Sequence, residues 1–201
     1  MTAHRPIVIA TKNPGKLREI RAILEGLPFR WLGLDQFSDL PEAVESEETF
    51  YDNALIKATH FSRLTGHWAL ADDSGLEVDA LGGAPGVYSS RYAGSGADDQ
   101  ANNDKLLAAL AAVEEPQRTA RFRCCVVLAD GQHPIATAAG TVEGQIALAP
   151  RGDNGFGYDP LFFLPEYGKT AAELAPELKN SISHRARALA QLREHLAGLA
   201  G

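Results

Sequence analysis

Cysteine is scarce in this 201-residue chain, which has only Cys124 and Cys125. The two are adjacent, and on a strand adjacent side chains point to opposite faces. They are poor partners for a disulfide or a shared metal. They read as reduced packing residues of a cytosolic protein. No apolar run reaches the ~18 residues that a membrane span needs. No Walker phosphate loop is present. No Ser-His-Asp, Cys-His or zinc-ligand spacing stands out, and the six histidines are scattered. Net positive charge is also lacking. At −7, with a pI of about 5.3, the whole-molecule field repels nucleic acid and anionic membrane. A small anionic substrate stays open, because local lysines outweigh the global field within a Debye length. The stretch Met1–Pro6 leads into a short apolar segment and does not read as a signal peptide. Repeats, low-complexity segments and long linkers are absent too.

What is present is an ordinary globular composition, 45% hydrophobic and 22% charged. The length fits one large domain or two small lobes. Residues 6–11 read as a buried strand, followed by the breaker Asn13-Pro14-Gly15. From Lys16 to about Gly26, Leu17, Ile20, Ile23 and Leu24 recur at helical spacing. Residues 29–34 read as a second strand. Thr49 can cap a helix with the stripe Phe50, Ala54, Ala58 and Phe61, ending at Gly66. Residues 67–72 read as a third strand, and 75–97 as a long glycine-rich loop of the kind that is usually functional, with a short strand within it left open. Asp98 or Asp99 opens a helix containing Leu106, Leu107 and Leu110. Residues 121–129 and 135–146 read as a hairpin around Asp130-Gly131. A final helix from about Ser181 carries the stripe Ile182, Leu189, Leu192, Leu196 and Leu199. Early alternation of strand and helix with a late hairpin predicts an α/β protein with a mixed sheet.

The most informative segment is Ala69-Leu70-Ala71-Asp72-Asp73-Ser74-Gly75. Two adjacent carboxylates after an apolar run repel each other and are costly to desolvate without a compensating cation or proton. Such a pair can hold Mg²⁺ by carboxylate oxygens, with phosphate oxygens completing the shell. Ordinary turn chemistry at a loop start is the competing explanation. The run Thr11-Lys12-Asn13-Pro14-Gly15-Lys16 places a glycine, a helix N-terminus and a lysine together, as a phosphate cradle requires. A plain helix entry with a solvated lysine would look the same. Asn53 and Lys57 share a helix face. In Arg151-Gly152-Asp153-Asn154-Gly155-Phe156-Gly157-Tyr158-Asp159-Pro160, glycines can open a pocket and an aromatic can stack on a base; a hairpin corner plugged by aromatics is equally open. Lys179, His184 and Arg185 cluster where the last helix is expected to begin. Cations are disfavoured there, which suggests donors aimed at a ligand's carbonyl oxygens.

Taken together these blocks resemble the Ham1/RdgB family of inosine and xanthosine triphosphate pyrophosphatases. The matching blocks are Thr11-x-Asn13-x-x-Lys16, Thr49-Phe50-x-x-Asn53-Ala54-x-x-Lys57-Ala58, Asp72-Asp73-Ser74-Gly75-Leu76, Pro85-Gly86-Val87-Tyr88-Ser89-Ser90-Arg91-Tyr92, Gly155-Phe156-Gly157-Tyr158-Asp159-Pro160 and Ser183-His184-Arg185. They stand in the family's order along nearly the whole chain. The resemblance implies one domain over residues 1–201, an α/β fold with a long mixed sheet flanked by helices, and two lobes with a central cleft. It implies a cytoplasmic homodimer that binds a small nucleotide, with neither nucleic acid nor membrane as partner. The implied reaction is Mg²⁺-dependent hydrolysis of ITP, dITP or XTP at the α-phosphorus, giving monophosphate and pyrophosphate. Asp73 would be the general base. Glu45, with Asp72 or Asp73, would hold the metal. Thr11, Asn13, Lys16, Lys57 and Ser74 would meet the phosphates and ribose. Phe156, Gly157 and Tyr158 would pack on the purine, and Asp159, Lys179, His184 and Arg185 would read its edge.

Donors at that edge suit a 6-oxo purine, whose O6 only accepts, and reject adenine, which would leave groups unpaired on both sides. Three alternatives are weighed against this. A Maf-like pyrophosphatase does not account for the Phe156–Asp159 and Ser183–Arg185 blocks. A nucleotide sensor need not keep a base and a metal site. A nucleic-acid-binding module conflicts with the net charge.

Overall fold

The computed structural model describes residues 5–44 and 46–199. A seven-stranded sheet has the order β2-β1-β3-β4-β5-β6-β7. Its strands are β1 (Arg5–Ile9), β2 (Phe29–Gly33), β3 (Trp68–Val78), β4 (Thr119–Asp130), β5 (His133–Ile146), β6 (Phe162–Leu164) and β7 (Lys169–Thr170). Among the described residues five helices accompany it: α1 (Pro14–Ile23), α2 (Phe50–Thr65), α3 (Asp99–Ala109), α4 (Pro176–Ile182) and α5 (His184–Leu199). β1 pairs in parallel with β2 and β3, whereas β5, β6 and β7 pair antiparallel, so the sheet is mixed.

The chain divides into two compact units. The first holds the residues up to Asp73, Cys124–Gly140 and those from Arg185 onward. Alternation along β1 explains its layers. Ile7 and Ile9 join Ile20, Leu24, Leu189, Leu192 and Leu196, so α1 and α5 cover one face. Val8 and Ala10 join Ala54, Ala58 and Phe61, so α2 covers the other. The second unit, Ser74–Arg123 with Thr141–His184, has its own core. There Leu106 of α3 and Leu110, its C-cap, pack with Leu76, Val78, Phe122, Val142, Ile146, Tyr158 and Phe162.

Helix ends follow the residues that cap them. Asn13 Oδ1 accepts from the N–H groups of Gly15 and Lys16, with Pro14 in the first turn of α1. Thr49 Oγ1 accepts from Asp52 N, and α2 stops at Gly66 in the left-handed conformation. Asp98 Oδ1 accepts from Ala101 N at the start of α3.

Three expectations need correction. The third strand does not stop at Asp72; β3 continues through Asp72-Asp73-Ser74-Gly75 to Val78. Leu76 and Val78 are fully buried and keep the strand inside the fold beyond the polar run. Residues 75–97 are therefore strand first, then short 3₁₀ turns over Asp79–Leu81 and Gly86–Arg91. The C-terminal helix is two helices. Ser183 is extended, at φ −64° and ψ 160°, and separates α4 from α5. Finally, Leu199 is 45% exposed and lies outside the buried stripe.

Candidate active site

In the first unit, the carboxylates sit inside β3 and cations from three helices reach them. Lys16, in the first turns of α1, places Nζ 3.1 Å from Asp72 Oδ2. Lys57, on the buried face of α2, places Nζ 2.9 Å from Asp73 Oδ1. Arg185, the second residue of α5, donates to Asp72 Oδ2 from Nη2 at 3.0 Å and from Nε at 3.3 Å, and also bonds Glu19 of α1. Three cations thus face Glu19, Asp72 and Asp73, all of them buried. A cation at a helix N-terminus opposes the dipole; Asp72 and Glu19 offset that cost for Arg185.

Burial alone would raise the Asp72 pKa. Lys16, Arg185 and Lys57 overcome it and hold the carboxyl well below the ordinary range. Burial likewise opposes the charge of Arg185, and Asp72 above all restores it, leaving its pKa raised. Cys124 lies with Sγ 4.0 Å from Asp72 Oδ2, and burial pushes its thiol pKa up. Both cysteines are buried thiols, consistent with packing roles.

In the second unit, the segment from Gly152 to Asp159 makes a tight turn that depends on glycine. Gly155 has φ +81°, and a Cβ there would lie 2.1 Å from Asp159 Oδ2. That close approach lets the Asp159 carboxylate accept from Phe156 N at 2.9 Å and from Lys179 Nζ at 2.5 Å. Lys179 Nζ also lies 4.8 Å from the centre of the Phe156 ring. Lys179 belongs to the last turn of α4, where the dipole favours a cation, rather than to the start of the final helix. His184 is buried and stacks on Phe122, with centroids 4.7 Å apart and planes at 16°. Phe122, Phe162 and Leu174 line a small apolar cavity with Asp159, Lys179 and His184 on its wall.

These arrangements can be set beside known proteins. The Ham1 family profile matches residues 7–195. The chain belongs to the Ham1 family. A relative from Geobacter sulfurreducens, named dITP/XTP pyrophosphatase, is 56% identical over 190 residues, covering 94% of this chain and 96% of its own. A relative of the same name from Geobacillus kaustophilus is 51% identical over 197 residues, covering 98% and 97%. The Ham1 protein of Coxiella burnetii superposes with a TM-score of 0.88 at 46% identity, covering 96% of this chain and 99% of that one. The mixed sheet flanked by helices is therefore the Ham1 fold.

Within the Ham1-family motifs, the residues nominated from sequence fall into separate groups. Lys16, Lys57, Asp72 and Asp73 come together in the first unit, near the Asn13-capped start of α1. Thr11 Oγ1 accepts from Asn13 N, which ties the strand end to that cap. Glu45 lies outside the described residues. Ser74 is half-buried on β3. Phe156, Asp159 and Lys179 form one cluster in the second unit, with Gly157 on the same turn. Tyr158 is placed in the core: it is 4% exposed, its Oη donates to Ser89 O, and burial raises its pKa. Arg185 is held by Asp72 and Glu19.

Sequence reasoning does not single out Glu19, Phe122, Asp99 or Asn103. Glu19 follows Lys16 by three residues, a spacing that puts both on one helix face. That spacing is the only local signal of its place in the charge cluster.

Proposed function

We propose that this chain is a nucleoside-triphosphate pyrophosphatase that hydrolyses dITP, ITP and XTP to monophosphate and pyrophosphate, keeping deaminated purines out of nucleic acid. The observation that carries this reading is the buried meeting of Asp72 and Asp73 with Lys16 and Lys57. A carboxylate at such a cluster can take a proton while the two lysines neutralise a triphosphate. The names and identities of the relatives support the substrate class.

In this mechanism, water attacks the α-phosphorus, Asp73 accepts its proton, and the bond to the bridging oxygen breaks to release pyrophosphate. Lys16, Lys57 and the N–H groups opening α1 bind phosphate oxygens, with Thr11, Asn13 and Ser74 completing the phosphate and ribose contacts. Arg185 is taken up by two carboxylates, so its task is to hold Asp72. Phe156 packs on the purine, Gly157 lets the backbone approach it, and Tyr158 supports the turn from the core. Asp159, Lys179 and His184 read the edge that carries O6.

No group of three His, Cys, Asp or Glu side chains placed to hold a metal ion occurs among the described residues. Mg²⁺ needs only one or two carboxylates besides phosphate and water, and the hard oxygens of β3 fit it. Glu45 with Asp72 or Asp73 would hold the ion, and it would supply further charge neutralisation to the triphosphate when bound. The same proposal takes the chain as one domain of two compact lobes, working as a cytoplasmic homodimer. No described helix is long and apolar enough to cross a membrane.

The test is a panel of nucleoside triphosphates incubated with the protein and Mg²⁺. Pyrophosphate and monophosphate from dITP, ITP and XTP, with little from ATP or GTP, is the expected outcome. Orthophosphate and diphosphate would refute it.

A further inference from the structure

Helix α3 grips one residue of the purine turn by both of its backbone groups. Asp99 and Asn103 are four apart and share one helix face. Asp99 Oδ2 accepts from Gly157 N at 2.6 Å, and Asn103 Nδ2 donates to Gly157 O at 3.0 Å. Gly157 has φ +62°, a conformation that glycine reaches without steric cost but does not prefer strongly enough to fix a turn. The helix itself is anchored nearby. Asn102 Oδ1 accepts from Ala93 N at 2.8 Å, and the amide of Asn102 reaches Ser90 O at 3.4 Å. Tyr158 Oη donates to Ser89 O at 2.8 Å, so two consecutive residues of the purine turn, Gly157 and Tyr158, are tied to α3 and to the 86–93 segment.

A second observation points the same way. Asn103 is 7% exposed, and its Oδ1 has no hydrogen-bond partner among the described residues. A buried acceptor left in that state costs stability, and an apolar side chain of similar size would avoid the cost. The amide is kept where its N–H holds Gly157 O.

We propose that Asp99 and Asn103 are positioning residues that fix the conformation of Phe156–Asp159 and thereby set affinity for the purine base. This rests on the assignment of that turn to base binding. Neither residue is assigned to triphosphate binding or to proton transfer, so their loss weakens substrate binding without slowing the bond-breaking step.

Two measurements test it. In steady-state assays with dITP, Asp99→Ala and Asn103→Ala raise KM about tenfold, as expected for one lost hydrogen bond, with kcat within about twofold. Asp99→Asn, whose amide oxygen still accepts from Gly157 N, stays within about threefold of the parent KM. Equal loss of kcat, or unchanged KM in both alanine variants of an active protein, would overturn the proposal. Hydrogen exchange at the Gly157 amide gives an answer that needs no turnover. Exchange is about tenfold faster in Asp99→Ala if the clamp holds the turn. Unchanged exchange would overturn the proposal, whereas an inactive parent protein would instead refute the assignment of function.

Discussion

Lys57 on α2 and Asp73 on β3 form a buried ion pair, Nζ to Oδ1 2.9 Å, with side chains only 11% and 9% exposed. The pair joins the helix face to the sheet at the point where the proposed reaction takes place. A base held this way is oriented before substrate arrives, which is the condition for efficient proton transfer.

Asp73→Asn keeps the shape of the side chain and removes its basicity. We expect kcat to fall about 10²–10⁴-fold, the contribution typical of a general base, while the Kd for dITP changes little. Kinetics and calorimetry on the same preparation check this. A loss of binding that matches the loss of turnover would remove Asp73 from the base role.

Glu19 and Arg185 are 166 positions apart in the chain and bonded in the fold. Either alanine substitution leaves a charge buried without that partner, so each should cost about 3–5 kcal/mol in urea unfolding. The double variant should cost less than the two single losses together, by about 0.5–3 kcal/mol, because it removes the coupling only once. Strict additivity would mean that the two groups do not interact in solution.

Phe156 is half-buried beside Lys179 and is the ring proposed to stack on the base. Stacking of this kind contributes about 1–3 kcal/mol, so Phe156→Ala should raise KM for dITP by about 5- to 150-fold with kcat nearly unchanged. Tyr158→Phe should act differently. It leaves Ser89 O without its donor, so its effect should appear in thermal stability ahead of KM.

Removal of divalent metal tests the donor set on β3. Dialysis against EDTA should abolish turnover and leave the far-ultraviolet circular dichroism unchanged, because both cores are built from apolar side chains. Added Mg²⁺ should restore the rate. Full activity in EDTA would take the metal out of the mechanism.

Much of this was legible locally. The breaker Asn13-Pro14-Gly15, the caps Thr49 and Asp98 and the stripe of α2 announce α1, α2 and α3 in the sequence, because each depends on neighbours within a few positions. The interior course of β3 was not. Asp72, Asp73 and Ser74 look like a strand end until Lys16, Lys57 and Arg185 arrive from distant segments to compensate them. The break at Ser183 was hidden for a similar reason, since neither glycine nor proline marks it. The role of Arg185 beside Asp72 and Glu19, and the grip of α3 on Gly157, depend on tertiary contact alone and leave no periodic trace.

The central claim is that water attacks the α-phosphorus. Hydrolysis of dITP in ¹⁸O-labelled water tests it most directly, because attack at the α- and β-phosphorus gives the same products with the label in different places. The account predicts one ¹⁸O in the nucleoside monophosphate and none in pyrophosphate. Label in the pyrophosphate would place the attack at the β-phosphorus and contradict the mechanism.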